Sequence, residues 1–366
     1  MGINTDFAPD ADVNVNALNP VIGTRSFSSD PALVSSMVTA QVNGYQKDAG
    51  IIATPKHFPG HGDTATLSQP ILTGILRGEL GYKGVIITDS LGMQGVRDKY
   101  GDPEVAVRAV LAGVDYLLMA PDMDAAYAAV QAAVVSGRIS EKRLNESVAR
   151  ILLLKLRKGI LLHPYADPSA LDQVVGTPAH LASANVITDR TTTVIRNDEA
   201  ALPIAAGGKK ILVTGYGATT TTTLAAALTR RSATVTRRET GAAPTDAAIA
   251  DAVAKSAGQD VVVVTTMKAW DTTVTDPAGG QKKLVAALLA TGRPVVVVAV
   301  RDPYDIAYLP VVKTYLATYS YSPVAIESAV RVITGEVAPT GKLPVDIPVA
   351  GDPSTALYPF GFGITW

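Results

Sequence analysis

The sequence contains no cysteine. Disulfides, thiolate metal sites and a cysteine nucleophile are therefore excluded, although the compartment is not fixed, because exported proteins also occur without cysteine. Aromatic residues are sparse, at 5%. Neither sign of charge dominates: the formal net charge is −1, and lysine and arginine are scattered rather than striped. Nothing therefore points to a nucleic-acid or acidic-membrane partner. Long apolar runs are also missing. "GVIITD" and "RPVVVVAV" fall far short of the roughly 18 residues that a membrane span needs, and their β-branched character suits buried strands. The opening "MGINTDFAPDADV" has no basic flank and no apolar core, so no secretory signal is expected there. Asp6 also breaks the myristoylation pattern.

What is present is alternation. A chain of 366 residues makes one large domain or two ordinary ones. In the first part, strand-like runs at 2–13, 50–57, 84–90 and 114–121 alternate with amphipathic stretches at 31–49, 69–81, 103–112 and 122–136. A helix is predicted over 140–158, with Ser140 as N-cap, Leu144, Val148, Ile151, Leu152 and Lys155 at helical spacing, and Gly159 as the stop. Short βα repeats of this kind predict a parallel α/β architecture. His57 and Asp89 are 32 residues apart, close to the roughly 31 per unit of a TIM barrel. Only four strands precede Gly159, whereas a closed barrel needs eight. The catalytic domain is thus expected at 1–162, followed by a Pro- and turn-rich linker at 163–186. A second domain at 187–366 has strands expected at 209–217, 232–239, 260–267, 293–303 and 312–320. Its helices are expected at 219–230, 245–257, 279–291 and 323–334, the pattern of an open doubly wound sheet.

Several polar residues fall where such folds present groups to a ligand. Asp89 ends the strand of Val85, Ile86 and Ile87, although an Asp after a strand also suits a helix cap. Lys56 and His57 end the preceding strand, and at a bend both can reach the mouth. A solvated Lys beside a half-buried His is the plainer alternative. His61 and Asp63 lie in the Gly-bounded turn "GHGD"; no third ligand at a suitable spacing supports a zinc site, so no metal is expected. Arg25, in "GTRSFSSDP", either clamps a hydroxyl or carboxylate or ties down its own loop. "GYGATT" after a strand imitates a dinucleotide fingerprint, but Thr220 stands at the third small-residue position, and a short βα turn explains it better.

Taken together, "KHFPGHGDT", "GVIITDSLGM", "NPVIGTRSFSSDP" and the closing "TGKLPVDIP…LYPFGFGITW" resemble glycoside hydrolase family 3, in its bacterial two-domain β-N-acetylglucosaminidase branch. The likeness runs over nearly the whole chain. It implies a TIM-type (β/α)8 barrel, only partly present, followed by an α/β sandwich domain with a mostly parallel sheet. It also implies Asp89 as nucleophile, with Arg25, Lys56 and His57 binding the sugar. No cofactor is implied, and the partner is a small-molecule glycan from peptidoglycan or chitin. β-Glucosidase or β-xylosidase activity, or an inactive sugar-binding remnant, are the alternatives. Two-domain relatives are often exported, which favours the cell envelope or outside. Nothing in the sequence sets the oligomeric state.

One part of the family pattern is missing. The branch takes its acid/base from a His paired with an Asp in an "Asp-Ser-His" motif just past "GHGDT". Here "GDTAT" runs directly into "LSQPILTGILRGEL". A βα unit and its dyad are absent at 66/67, and the barrel's first strands are absent as well. Either a mobile segment has been skipped or the chain is deleted there. Because half a barrel would bare strand edges and apolar faces, skipping is favoured, with a long Cα–Cα distance expected between Thr66 and Leu67.

Overall fold

The computed structural model describes residues 3–16, 19, 21–60 and 67–366. The chain divides into two units, Met1–Val13 with Ala32–Val174, and Asn14–Pro31 with Val175–Trp366. The stretch 163–186, expected as a linker, holds a 3₁₀ turn, Pro168–Ala170, a short helix, Leu171–Val174, and the start of the helix Pro178–Thr191. The expected 66/67 break lies outside the described residues.

In the first unit the expected strands are present but shorter. Strand β1 (Thr5–Asp6) pairs in parallel with β2 (Ile52–Ala53), and the pairing extends through a bridge between Asp10 and Lys56. Strand β3 (Ile87–Ser90) pairs in parallel with β4 (Tyr116–Leu118). Among the described residues no ladder joins β2 to β3. The interruption brackets the point at which the sequence departs from the family pattern. Between them runs a wide helix, Pro70–Glu79, of π-type hydrogen bonding, which buries Leu72 against Ile86, Ala109, Ala112 and Val114.

The helix Glu141–Arg157 forms as its signals predict, with the Ser140 hydroxyl accepting from Arg143 N. Of the stripe expected from the spacing, Leu144 and Ile151 are half-buried, whereas Val148 and Leu152 remain 43% and 48% exposed, and Arg143, Ser147 and Arg150 turn towards Asp115. The reason is the carboxylate of Asp115, which is wholly buried. It accepts from Ser147 Oγ at 2.6 Å, Arg150 Nη1 at 2.9 Å and Ile86 N at 2.9 Å, and pairs with Arg77 Nη2 at 2.5 Å. A buried charge needs such partners, and supplying them outranks burying an apolar stripe.

The second unit is an open six-stranded sheet. Its strands are β5 (Thr193–Asn197), β6 (Lys210–Gly215), β7 (Thr234–Glu239), β8 (Val261–Thr266), β9 (Val295–Ala299) and β10 (Thr314–Ala317), in the spatial order β5-β10-β9-β8-β6-β7. All neighbours are parallel except β5 with β10. Strand β5 was not expected, because no glycine or proline separates it from the helix Pro178–Thr191. Alternation assigns the two faces. Ile211, Val213, Val263, Val296 and Val298 pack with Leu224 and Val330 on one side; Leu212, Val262, Val264, Val295 and Val297 pack with Leu284 and Leu288 on the other. A terminal hairpin, β11 (Ile347–Val349) with β12 (Asp352–Tyr358), completes the unit.

Candidate active site

In the first unit the chemistry collects at strand ends. Asp89 lies at the C-terminal end of β3 and is 44% exposed. It caps no helix: the next one, Gln94–Tyr100, has Met93 at its N-cap position and no side-chain cap. The Asp89 carboxylate instead accepts from Ser90 N at 2.8 Å through Oδ1. Its other oxygen, Oδ2, lies 3.5 Å from His57 Nε2.

His57 is oriented from behind. Asp12 Oδ2 accepts from the His57 backbone N–H at 3.1 Å and lies 2.7 Å from Nδ1. The two side chains are 6% and 13% exposed, respectively. Asp10 Oδ1 accepts from Asp12 N at 3.2 Å, and the Lys56 backbone pairs with Pro9 and Ala11, which seats Lys56 and His57 beside the Asp10–Asp12 stretch. Asp12 was not singled out in the sequence. The available signal was its place in "APDADVN", at the end of the first strand-like run and level with the Lys-His pair.

Asp10, Asp12 and His57 offer ligand-type atoms all within 4.8 Å of one another. The imidazole commits Nδ1 to Asp12, however, and the trio is a hydrogen-bonded array facing Asp89. Asp12–His57–Asp89 therefore alternates carboxylate, imidazole and carboxylate, an arrangement suited to holding a nucleophilic carboxylate and hydroxyl groups in fixed geometry.

His61 and Asp63 lie outside the described residues. Arg25 belongs to the second unit, in the 3₁₀ turn Gly23–Arg25. There the segment Asn14–Pro31 is anchored by Asn14 Nδ2 donating to Tyr304 Oη at 3.2 Å and Ser28 Oγ donating to the Pro344 carbonyl at 2.8 Å. Asp271, in the second domain, is unsuited to be a proton donor. Burial pushes its carboxyl up, but hydrogen bonds from the Thr273 and Thr275 hydroxyls and the Val274 amide outweigh burial and hold it well below the usual carboxylate range. The "GYGATT" turn also has a structural explanation. Gly215 has φ +106, and a Cβ there would lie 2.1 Å from Thr265 O.

A strand-end carboxylate in a parallel α/β unit, followed by a doubly wound domain, defines an α/β enzyme with its chemistry at strand C-termini. Comparison with known proteins makes this specific. Residues 192–366 match the Glycosyl hydrolase family 3 C-terminal domain, and residues 1–70 and 64–154 match the family's N terminal domain in two pieces. A solved structure of a glycoside hydrolase family 3 β-N-acetylglucosaminidase from Paenibacillus sp. str. FPU-7 superposes with a TM-score of 0.84. It is 31% identical, and the match covers 95% of this chain and 77% of that one. The chain belongs to glycosyl hydrolase family 3; its first unit carries part of that family's TIM-type barrel, as two parallel strand pairs, and its second unit carries the α/β sandwich.

Beta-hexosaminidase A of Pseudoalteromonas piscicida is 28% identical over 277 residues, covering 56% of this chain and 46% of that protein, so the match spans about half of that relative's length. The Beta-N-acetylglucosaminidase/beta-glucosidase of Cellulomonas fimi is 24% identical over 447 residues, covering 94% of this chain and 75% of that protein. Those 447 aligned positions exceed the chain's 366 residues by 81, so the relative carries a long stretch that faces nothing here. The two pieces of the N-terminal match meet at 64–70, beside the point where the sequence leaves the family pattern.

Proposed function

We propose that this chain is a retaining glycoside hydrolase that releases terminal β-linked N-acetylglucosamine from peptidoglycan- or chitin-type fragments, with Asp89 as its nucleophile. The observation that carries the reading is the half-exposed Asp89 carboxylate, steadied by Ser90 N and faced by the Asp12-braced His57. The carboxylate attacks the anomeric carbon as the glycosidic C–O bond breaks, giving a covalent glycosyl-aspartate. Water then attacks the same carbon, releasing the sugar with retained configuration. Lys56 and His57 are proposed to hold the sugar. The name of the Paenibacillus structure supports the N-acetylglucosamine choice, and that of the Pseudoalteromonas relative supports a hexosaminidase.

The leaving oxygen also needs a proton, and the Asp-Ser-His motif that would supply it does not occur after Thr66. If the chain is deleted there, turnover is expected chiefly on substrates with activated leaving groups; if a segment carrying the acid has been skipped, natural fragments are expected to be cleaved as well. The test compares aryl N-acetyl-β-glucosaminide, β-glucoside and β-xyloside, with Asp89→Ala as control. Selective cleavage of the first, with the variant retaining less than a few per cent, is the expected result. Preference for the glucoside or xyloside would move the substrate within the family, a relevant control because the Cellulomonas relative's name carries both activities. Calorimetric sugar binding without any turnover would identify a sugar-binding remnant.

A further inference from the structure

The two strands that carry the site are out of step at Asp89. Ile87 pairs with Tyr116, but Ser90 pairs with Leu118, so β3 spends one residue more than β4 over the same length. Asp89 falls inside this irregularity. An extra residue in one strand bends it and redirects the side chain there, and such bulges are frequent beside active sites.

A bulge leaves ladder groups to be satisfied by other means. Here the Leu118 N–H donates to the hydroxyl of Thr88 at 2.9 Å, where a regular parallel ladder would offer a main-chain carbonyl. Thr88 is 4% exposed and immediately precedes Asp89. On either side the main chain resumes. Asp115 N and Tyr116 N donate to the Ile86 carbonyl at 2.8 and 3.0 Å, and Leu91 N donates to the Leu118 carbonyl at 2.9 Å. The Thr88 hydroxyl thus bridges the strands at the irregular step itself, buried immediately before the half-exposed Asp89 carboxylate.

We infer that Thr88 is a positioning residue: its hydroxyl fixes the β3 bulge and so aims the Asp89 carboxylate. This rests on Asp89 being the nucleophile, as proposed above. Thr88 touches no substrate and acts only through its neighbour. Losing its hydroxyl should therefore slow attack on the anomeric carbon and leave sugar binding nearly unchanged.

The test uses Thr88→Val, which keeps the shape and removes the hydroxyl, and Thr88→Ser, which keeps the hydroxyl. On a dinitrophenyl N-acetyl-β-glucosaminide, Thr88→Val should lower kcat by about 10- to 100-fold, because a misplacement of about 1 Å can cost that much. KM should stay within about twofold, and Thr88→Ser should recover most of the rate. The deciding arm removes the carboxylate. In Asp89→Ala, added azide attacks the anomeric carbon, a C–N bond forms, and the C–O bond breaks with its electron pair leaving on the phenolate. If Thr88 acts through Asp89, the azide-rescued rate of Thr88→Val/Asp89→Ala should equal that of Asp89→Ala within about twofold.

An unchanged kcat in Thr88→Val would overturn the inference. So would an azide-rescued rate lowered by the same factor as in the Asp89 background, since the loss would then be structural. Thermal unfolding of each variant separates a folding defect, in which Thr88→Ala supplies a smaller replacement that tests the hydroxyl again. Substantial activity in Asp89→Ala without azide would instead refute the nucleophile assignment, which is a different failure.

Discussion

His57 Nε2 stands 3.5 Å from Asp89 Oδ2. The ring is held there from its far side by Asp12, whose Oδ2 lies 2.7 Å from Nδ1. A carboxylate in that position accepts the Nδ1 proton and fixes the orientation of the ring, so that Nε2 is held towards Asp89. An amide could still accept from Nδ1 but would lack the charge.

Asp12→Asn should therefore keep the fold and lose activity. A hydrogen bond to a charged group contributes about 1.5–3 kcal/mol, which corresponds to a fall in kcat/KM of roughly 10- to 100-fold. Steady-state kinetics on an aryl glycoside, beside a thermal melt, decide the matter. An unchanged kcat/KM would show that the Asp12–His57 contact plays no part in turnover.

The Asp115 hub governs stability in the first unit. Arg77, Arg143 and Arg150 all lie within 4.0 Å of this buried carboxylate. Burial pushes the Arg143 guanidinium down, and Asp115 opposes that shift. Removing the carboxylate would strand three half-buried cations. Asp115→Ala should cost about 3–5 kcal/mol, the range for breaking a buried pair by deleting one partner. Urea unfolding would measure it, and a loss below about 1 kcal/mol would contradict the assignment.

The second domain was the more legible part of the fold. Its parallel strands are short β-branched runs punctuated by Gly and turn residues, and its helices begin and end within about two residues of their predicted limits. Strand β5 escaped because Thr192 alone separates it from a helix. The site was legible through residue types: Asp89 and His57 could be picked from strand ends. Asp12 could not, because its role depends on two strand ends more than forty residues apart in sequence coming together. The buried face of the Glu141–Arg157 helix was only partly legible for a similar reason. Periodicity records the apolar stripe, whereas the partner that claims the opposite face, Asp115, lies some thirty residues away.

Stability of the second unit should depend on Asp305. Burial pushes its carboxyl up to about 7; the Thr266 hydroxyl opposes this, and the negative charge of nearby Asp302 adds to it. Asp302 is itself raised, again by burial, against the opposing charges of Arg301 and Lys268. A group whose folded-state value exceeds its unfolded value of about 3.9 favours folding when protonated. Its contribution is fully present below that unfolded value and is lost as pH rises through about 7. Asp305→Asn should flatten the decline in melting temperature between about pH 4 and 8. An equally steep decline in the variant would count against the buried carboxyl as its source.

Leaving-group chemistry tests the missing unit most directly. General acid catalysis typically contributes about 10²–10⁴-fold, and a dinitrophenolate departs with little protonation, whereas the sugar alkoxide of chitobiose cannot. A chain whose intact mass equals that of the 366-residue sequence should therefore cleave dinitrophenyl N-acetyl-β-glucosaminide far faster than chitobiose. The rate should also depend steeply on the leaving-group pKa, because the glycosidic bond must break without a proton. Where a segment supplying the acid is present, intact mass will exceed that of the sequence and the dependence will be shallow. Efficient chitobiose cleavage by a chain of the shorter mass would mean that another residue of the 366 donates the proton, and His61 and Asp63, a few residues past the Lys56-His57 pair, would be the first to examine.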